Sequence, residues 1–138
     1  MNITLSYKEI GDWVTARTGK EIRFRSGGEN VLQIISPLDL LLKIANITVS
    51  IRMVGITNKS ASFIYDGSWG MKNAVNLALK FIRYKLPEME EAIEMRPDRL
   101  VWVHLDKIPQ LAPLLDNVNL ESLTFPPAGI RLTASLKS

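Results

Sequence analysis

The sequence predicts an α+β domain in which a mainly antiparallel sheet of about six to seven strands is packed on one face by two amphipathic helices. Three pairs of alternating apolar segments are each joined by a turn signal, which is typical of β-hairpins and therefore of antiparallel pairing. Two longer segments repeat their apolar residues at helical spacing. With 138 residues and 46% hydrophobic content, the chain is long enough for one core, so residues 1–138 are predicted to form a single domain.

The two helices have recognisable starts, stripes and ends. Residues 7–18 form the first, because Ser6 and Glu9 have the spacing of a capping box and Gly19 is a suitable C-cap. Residues 70–85 form the second, where apolar side chains recur every three or four positions. An apolar stripe must be buried against another element, and here the sheet is the element available.

Three predicted hairpins supply most of the sheet. They pair Glu21–Arg25 with Val31–Ile35, a strand starting at Ile47 with Ala61–Tyr65, and Val118–Phe125 with Ile130–Leu136. Leu100–Leu105 adds a strand that is apolar on both faces. Pro37 is expected to break the chain after the first hairpin, and Ile108–Leu115, with two prolines, is expected to form a short helical turn or a packed loop.

The net charge of +3 conceals an uneven distribution along the chain. Residues 1–85 carry 12 basic and 6 acidic side chains, or +6, whereas residues 86–138 carry 5 basic and 8 acidic ones, or −3. Such asymmetry can steer an anionic partner toward the basic part. Met1–Val14 lacks the pattern of a secretory signal, and charges interrupt the most apolar stretch, Leu38–Ile56. We therefore expect a soluble, cytoplasmic protein without a transmembrane segment.

Most catalytic and cofactor motifs are missing from the sequence. Zero cysteines exclude thiolate chemistry and disulfides, and His104 is the single histidine. Asp66 stands where a nucleophile elbow needs its first glycine, so Ser68 is interpreted as a helix-start or turn residue. No phosphate-binding glycine loop occurs, and the acidic segment Glu88–Glu94 lacks the pattern of a calcium loop. We expect neither a cofactor nor a bound metal.

One candidate catalytic pair remains. His104 and Asp106 lie two residues apart on a predicted strand, so their side chains share a face and could pair. Trp102 shares that face, and no serine is placed beside the pair by any local signal. A structural histidine is therefore favoured, and an enzyme using His104 and Asp106 ranks third among the functions considered.

Nucleic-acid binding is disfavoured despite a pI near 9.3. A sheet that stacks bases needs exposed aromatic side chains flanked by basic ones. Here Phe24 has the parity of the apolar face, while Arg23 and Arg25 point to the other side.

The leading hypothesis is a small non-enzymatic domain that binds an apolar or amphipathic, lipid-like ligand between the helices and the sheet. Ligand pockets are mainly apolar, although the same residues would also fill a solid core. The predicted lining consists of Trp13, Ile51, Met53, Phe63, Val75, Ala78, Phe81 and Trp102. The predicted anion-facing residues are Lys72, Lys80 and Arg83. The alternative is a structural or protein-interaction domain that forms homo-oligomers through an edge strand or through the segment Pro109–Pro113.

Overall fold

The computed structural model describes residues 1–40, 43–66, 75–76, 79–80 and 83–136. These residues contain nine strands in two antiparallel sheets, together with one long helix, α1, at Tyr7–Thr18. The strands are β1 (Asn2–Leu5), β2 (Arg23–Gly28), β3 (Val31–Leu40), β4 (Lys43–Ile56), β5 (Ser60–Tyr65), β6 (Ile93–Arg96), β7 (Leu100–His104), β8 (Val118–Thr124) and β9 (Ile130–Leu136). A single-turn helix covers Ala112–Leu115, and short 3-10 helices cover Pro87–Met89 and Leu105–Lys107.

Helix α1 begins and ends at the predicted residues. Ser6 Oγ accepts a hydrogen bond from the Glu9 amide at 3.1 Å, which satisfies one of the free N–H groups of the first turn. Gly19 ends the helix in the left-handed conformation with a φ of 74°, as glycine C-caps do. In the second predicted helix, the described residues 75–76, 79–80 and 83–85 are helical.

The larger sheet has the order β2-β3-β4-β5-β7-β6, and the smaller sheet has the order β1-β9-β8. All three predicted hairpins are confirmed as the pairs β2–β3, β4–β5 and β8–β9. Two further pairings, β3–β4 and β6–β7, also join consecutive strands. The other two join strands that are not neighbours in the chain, since β5 pairs with β7, and β1 pairs with β9 across almost the whole sequence.

The core lies between the two sheets. The larger sheet contributes Leu32, Ala61 and Phe63, and the smaller sheet contributes side chains such as Leu123 and Leu132. The rings of Phe63 and Phe125 meet at the centre, with centroids 6.2 Å apart. Buried apolar area of this kind is the main stabilising term in folding.

The mixed α and antiparallel β composition is as predicted, but two helices packed on one sheet face are not confirmed. Helix α1 contacts β2, the edge strand of the larger sheet. The buried face of that sheet is covered by the second sheet, whereas the sequence predicted a single sheet. An apolar strand face has the same alternating pattern whether a helix or another sheet covers it.

Three local features differ from the prediction. Strands β1 and β6 lie in segments that were not predicted as strands, and β6 lies in the acidic connection. Pro37 does not break the chain but continues β3 opposite Asn46. It is tolerated because β2 starts opposite Ile35, so β3 has no partner on that side at Pro37, and its missing N–H is not needed there.

Candidate ligand-binding cleft

The described residues of the predicted apolar lining lie on different elements and on both faces of the larger sheet. Ile51, Met53 and Phe63 lie on the inner face of the larger sheet and pack in or against the core, where Phe63 is only 5% exposed. Trp102 lies on the opposite face, because it pairs with Ser62 one position away from Phe63. Trp13 is 39% exposed on α1, with the Arg17 guanidinium 5.2 Å above its ring.

The remaining predicted residues lie in or near the second predicted helix. Val75 is buried, at 8% exposure. Lys80 and Arg83 are exposed. Ala78, Phe81 and Lys72 fall outside the residues that the structure describes.

The apolar opening that borders the core among the described residues is far smaller than a lipid. Met1, Ile3, Leu111 and Leu114 are among the residues around a small apolar opening of about 30 Å³ between the single-turn helix and the smaller sheet. This volume is close to that of one water molecule. Ligand pockets usually measure about 300–1,000 Å³.

His104 has different partners from the one predicted. Its Nδ1 lies 2.8 Å from Ser60 Oγ, and its Nε2 lies 3.8 Å from Glu94 Oε2. The ring also stacks on Trp102, with centroids 6.3 Å apart. Asp106 instead belongs to the 3-10 helix that follows β7, because the strand ends at His104 and the alternation that would have aligned the two side chains ends with it.

Serine, imidazole and carboxylate are the components of a catalytic triad, but their arrangement here does not suit nucleophilic attack. Ser60 is only 8% exposed, so its hydroxyl cannot reach a substrate carbonyl. It also contacts the imidazole in the first pair of β5, at the beginning of a strand rather than on an exposed elbow. The three side chains form a structural network beside Trp102, whose buried Nε1 has no acceptor within the described part of the chain.

A second concave site, larger and more open than the first, lies where β5 ends and β7 begins. It has a volume of about 230 Å³, and we refer to it as the Arg52/Arg99 cleft. Its lining combines polar and apolar residues from β3, β4, β5 and the chain next to them: Val31, Ser50, Ile51, Arg52, Ile64, Tyr65, Asp66 and Arg99.

Backbone hydrogen bonds beyond the ends of the strands position this lining. The Asp66 amide donates to the Ser50 carbonyl at 3.1 Å, which continues the β4–β5 ladder by one residue. The Tyr65 amide donates to the Arg99 carbonyl at 3.2 Å and continues the β5–β7 ladder in the same way. Residues from three strands are thereby brought to one edge of the sheet.

A strained turn fixes one of the two guanidinium groups. Asp98 and Arg99, between β6 and β7, both have a φ of 64°, a left-handed conformation that is uncommon for residues other than glycine. Arg99 Nη1 donates to the Tyr65 carbonyl at 2.7 Å. This bond ties the turn to β5 and holds the Arg99 guanidinium at the cleft.

The second guanidinium, on Arg52, is exposed. Within the described part of the chain, neither Arg52 nor Arg99 forms an ion pair with a carboxylate. Asp66 is the acidic residue of the lining, so two cationic groups and one anionic group face the same space. The arrangement suits an anionic group that approaches from solvent.

Sequence reasoning missed this site for identifiable reasons. Arg52 was visible as one of the charges that interrupt the apolar stretch Leu38–Ile56, which is the one local signal for it. Arg99 has no such signal, because its position depends on the pairing of β5 with β7 across about 35 residues.

Comparison with known proteins gives no information about the function of this site. No family model, curated protein or solved structure matches the chain. Among the described residues, no helix has both the length and the apolar character needed to cross a bilayer. The same part of the chain has no group of three His, Asp or Glu side chains that could hold a metal ion.

Proposed function

We propose that the protein is a non-enzymatic binding domain that holds a small amphipathic anion in the Arg52/Arg99 cleft. The observation that carries this proposal is the convergence of two guanidinium groups, neither in an ion pair within the described residues, on an open cleft with an apolar wall. Arg groups recognise carboxylate and phosphate through paired hydrogen bonds. Val31 and Ile64 are apolar neighbours for the rest of such a ligand.

Charge and size narrow the ligand further. With Arg52 and Arg99 opposed by Asp66, the lining has a formal charge of +1, which matches a ligand with one negative charge. The volume of about 230 Å³ lies below the range for drug-sized ligands. These two quantities favour an anionic head with a short apolar chain over a two-chain lipid.

The proposed ligand is therefore amphipathic, as the sequence predicted, but it binds at a different place in the fold. The proposal moves the ligand from the space between the helices and the sheet to an edge of the larger sheet. The anionic group would contact Arg52 and Arg99 in place of Lys72, Lys80 and Arg83.

Titration calorimetry with butyrate and octanoate tests the proposal. Removing a hydrogen bond to a charged group costs about 1.5–3 kcal/mol, so we expect Arg52→Ala to weaken binding of these anions by at least about tenfold. Arg99→Asn should have a similar effect, because asparagine tolerates the left-handed conformation. Arg131→Ala, at an exposed arginine on β9, is the matched control and should leave binding unchanged.

The same titrations can refute the proposal. Wild-type protein that binds neither carboxylate contradicts it, as does a loss of affinity in Arg131→Ala equal to that in Arg52→Ala. The second result would indicate a non-specific attraction by the net positive charge.

A second candidate function is self-association through the segment Pro109–Pro113 and the residues beside it. Leu114 is 53% exposed and Met1 is 58% exposed, and both border the small apolar opening. Exposed apolar patches of this kind often mark interfaces. Light scattering is the test: a wild-type dimer that becomes monomeric in Leu114→Gln would support this function, and a wild-type monomer at high concentration would exclude it.

A further inference from the structure

A row of polar side chains crosses three strands and ends at the Arg52/Arg99 cleft. Arg25 on β2 pairs with Gln33 on β3, and Gln33 pairs with Ser50 on β4. Arg25 Nε donates to Gln33 Oε1 at 2.6 Å, and Gln33 Nε2 donates to Ser50 Oγ at 3.3 Å. Ser50 is the last member of the row and the one that lines the cleft.

The chemistry of these groups fixes the direction of every hydrogen bond in the row. An arginine Nε–H can only donate, so the atom of Gln33 that faces Arg25 must be the amide oxygen. The NH₂ group of Gln33 then faces Ser50 and donates to its hydroxyl oxygen. Because Gln33 has no acceptor on that side, the single proton of the Ser50 hydroxyl must point elsewhere, and the cleft is the open space beside it.

We infer that the Ser50 hydroxyl donates a hydrogen bond to an oxyanion in the cleft and that Gln33 is the positioning residue that directs this proton. The inference rests on the proposed function and names the class of ligand: a carboxylate or phosphate whose acceptor oxygen is shared by Ser50 and the two guanidinium groups. Apart from the carboxylate of Asp66, which lies opposite Ser50 in the continued β4–β5 ladder, no acceptor of the lining side chains competes for these three donors. They therefore select for oxygen atoms that carry no proton.

A double-mutant cycle on Ser50 and Gln33 tests the inference. Binding of butyrate, octanoate and inorganic phosphate is measured by calorimetry in wild type, Ser50→Ala, Gln33→Met and the double variant. We expect Ser50→Ala to weaken binding about tenfold, as for loss of a hydrogen bond to a charged group. Gln33→Met should weaken it about threefold in wild type, because the hydroxyl is then free to rotate, and should have no effect in the Ser50→Ala background.

The three probes distinguish the two sources of an oxyanion. Tighter binding of octanoate than of butyrate and phosphate identifies an amphipathic carboxylate, since the apolar wall then contributes. Tighter binding of phosphate than of either carboxylate identifies a phosphate group. Both results support the shared oxyanion chemistry, provided that Ser50→Ala weakens binding of the preferred probe. Ser135→Ala on β9 is the control, and thermal unfolding of each variant checks the fold.

Three outcomes overturn the inference, and they separate it from the proposed function. If Arg52→Ala weakens binding and Ser50→Ala does not, the site exists but its serine donates to Asp66 instead. If Gln33→Met weakens binding equally in wild type and in the Ser50→Ala background, Gln33 supports the structure of the sheet and does not direct the proton of Ser50. If wild-type protein binds none of the three probes, the proposed function fails together with the inference.

Discussion

Gly129 occupies a position where a single added carbon atom should disrupt the join between the two ends of the chain. It precedes β9, and a Cβ at this position would lie 2.4 Å from the Leu5 carbonyl oxygen and 3.0 Å from the Leu5 carbonyl carbon. Leu5 pairs with Ile130, the first residue of β9. The atoms in the way are therefore backbone atoms of β1, which is the strand that closes the smaller sheet.

The cost of Gly129→Ala has two parts. Carbon and oxygen approach to about 3.3 Å in ordinary weak contacts, so β1 would have to move by about 0.9 Å. Overpacking of this kind costs about 1–3 kcal/mol. The φ of 155° at Gly129 adds a further cost of about 1–3 kcal/mol for a residue with a side chain. We therefore expect the free energy of unfolding to fall by about 2–6 kcal/mol.

β1 has little freedom to absorb this movement. The amino terminus donates to the Ala134 carbonyl at 2.9 Å, and the Tyr7 hydroxyl donates to the Pro126 carbonyl at 2.7 Å. These contacts hold the chain at both ends of β1. The strand cannot move away from Gly129 without lengthening at least one of them.

Gly28→Ala is the matched control for this prediction. Gly28 also has a strongly positive φ, 143°, but the nearest atom to an added Cβ is 3.9 Å away, which is an ordinary contact. Urea unfolding should therefore place the midpoint of Gly129→Ala roughly 1 M below that of Gly28→Ala, given a slope of about 1–3 kcal/mol/M. Equal midpoints would show that β1 yields without cost and would refute the steric argument.

Two further predictions concern α1. Ser6→Ala removes the N-cap acceptor and should lower the free energy of unfolding by about 0.5–2 kcal/mol. Urea unfolding measures this loss, with Ser6→Asp, which keeps a cap, as the control. Equal losses of stability in both variants would contradict the capping role. Hydrogen bonds from Lys8 and from Arg23 lower the pKa of Asp12 below its ordinary value of 3.8. The ionised Asp12 side chain therefore stabilises the fold above pH 3.8, and this stabilisation is lost as the pH falls through the lower pKa of the folded state. Asp12→Asn should accordingly be less stable than wild type at pH 7, and the difference in the free energy of unfolding should shrink as the pH falls below 3.8. A difference that stays constant as the pH falls would exclude the linkage.

The elements that the sequence predicted correctly are those whose signals are local. Residues 7–18 form a helix because the cap, the stripe and the terminal glycine all lie within one short segment. The three hairpins were equally accessible, because alternation and a turn signal lie side by side. β6 was missed since the glutamates around it dominate the composition, although Ile93 and Met95 alternate with Glu94 and Arg96.

The division into two sheets could not be predicted in the same way. The pairs β1–β9 and β5–β7 join residues that are distant in sequence, and no turn signal specifies them. The candidate site depends on one of these pairs. Arg52 and Ser50 are fixed by the predictable β4–β5 hairpin, whereas Arg99 reaches the cleft through the β5–β7 pair.

This dependence links the cleft to the stability of the strained turn. Asp98 and Arg99 both keep a conformation that costs each of them of order 1–3 kcal/mol. Two hydrogen bonds tie the turn to β5: the Arg99 side chain donates to the Tyr65 carbonyl, and the Tyr65 amide donates to the Arg99 carbonyl. An anion that binds Arg99 also favours the conformation in which that side chain faces the cleft. The ligand would therefore stabilise the turn against the strain that the protein alone must hold, so the start of β7 should be the part of the larger sheet whose order increases most on binding.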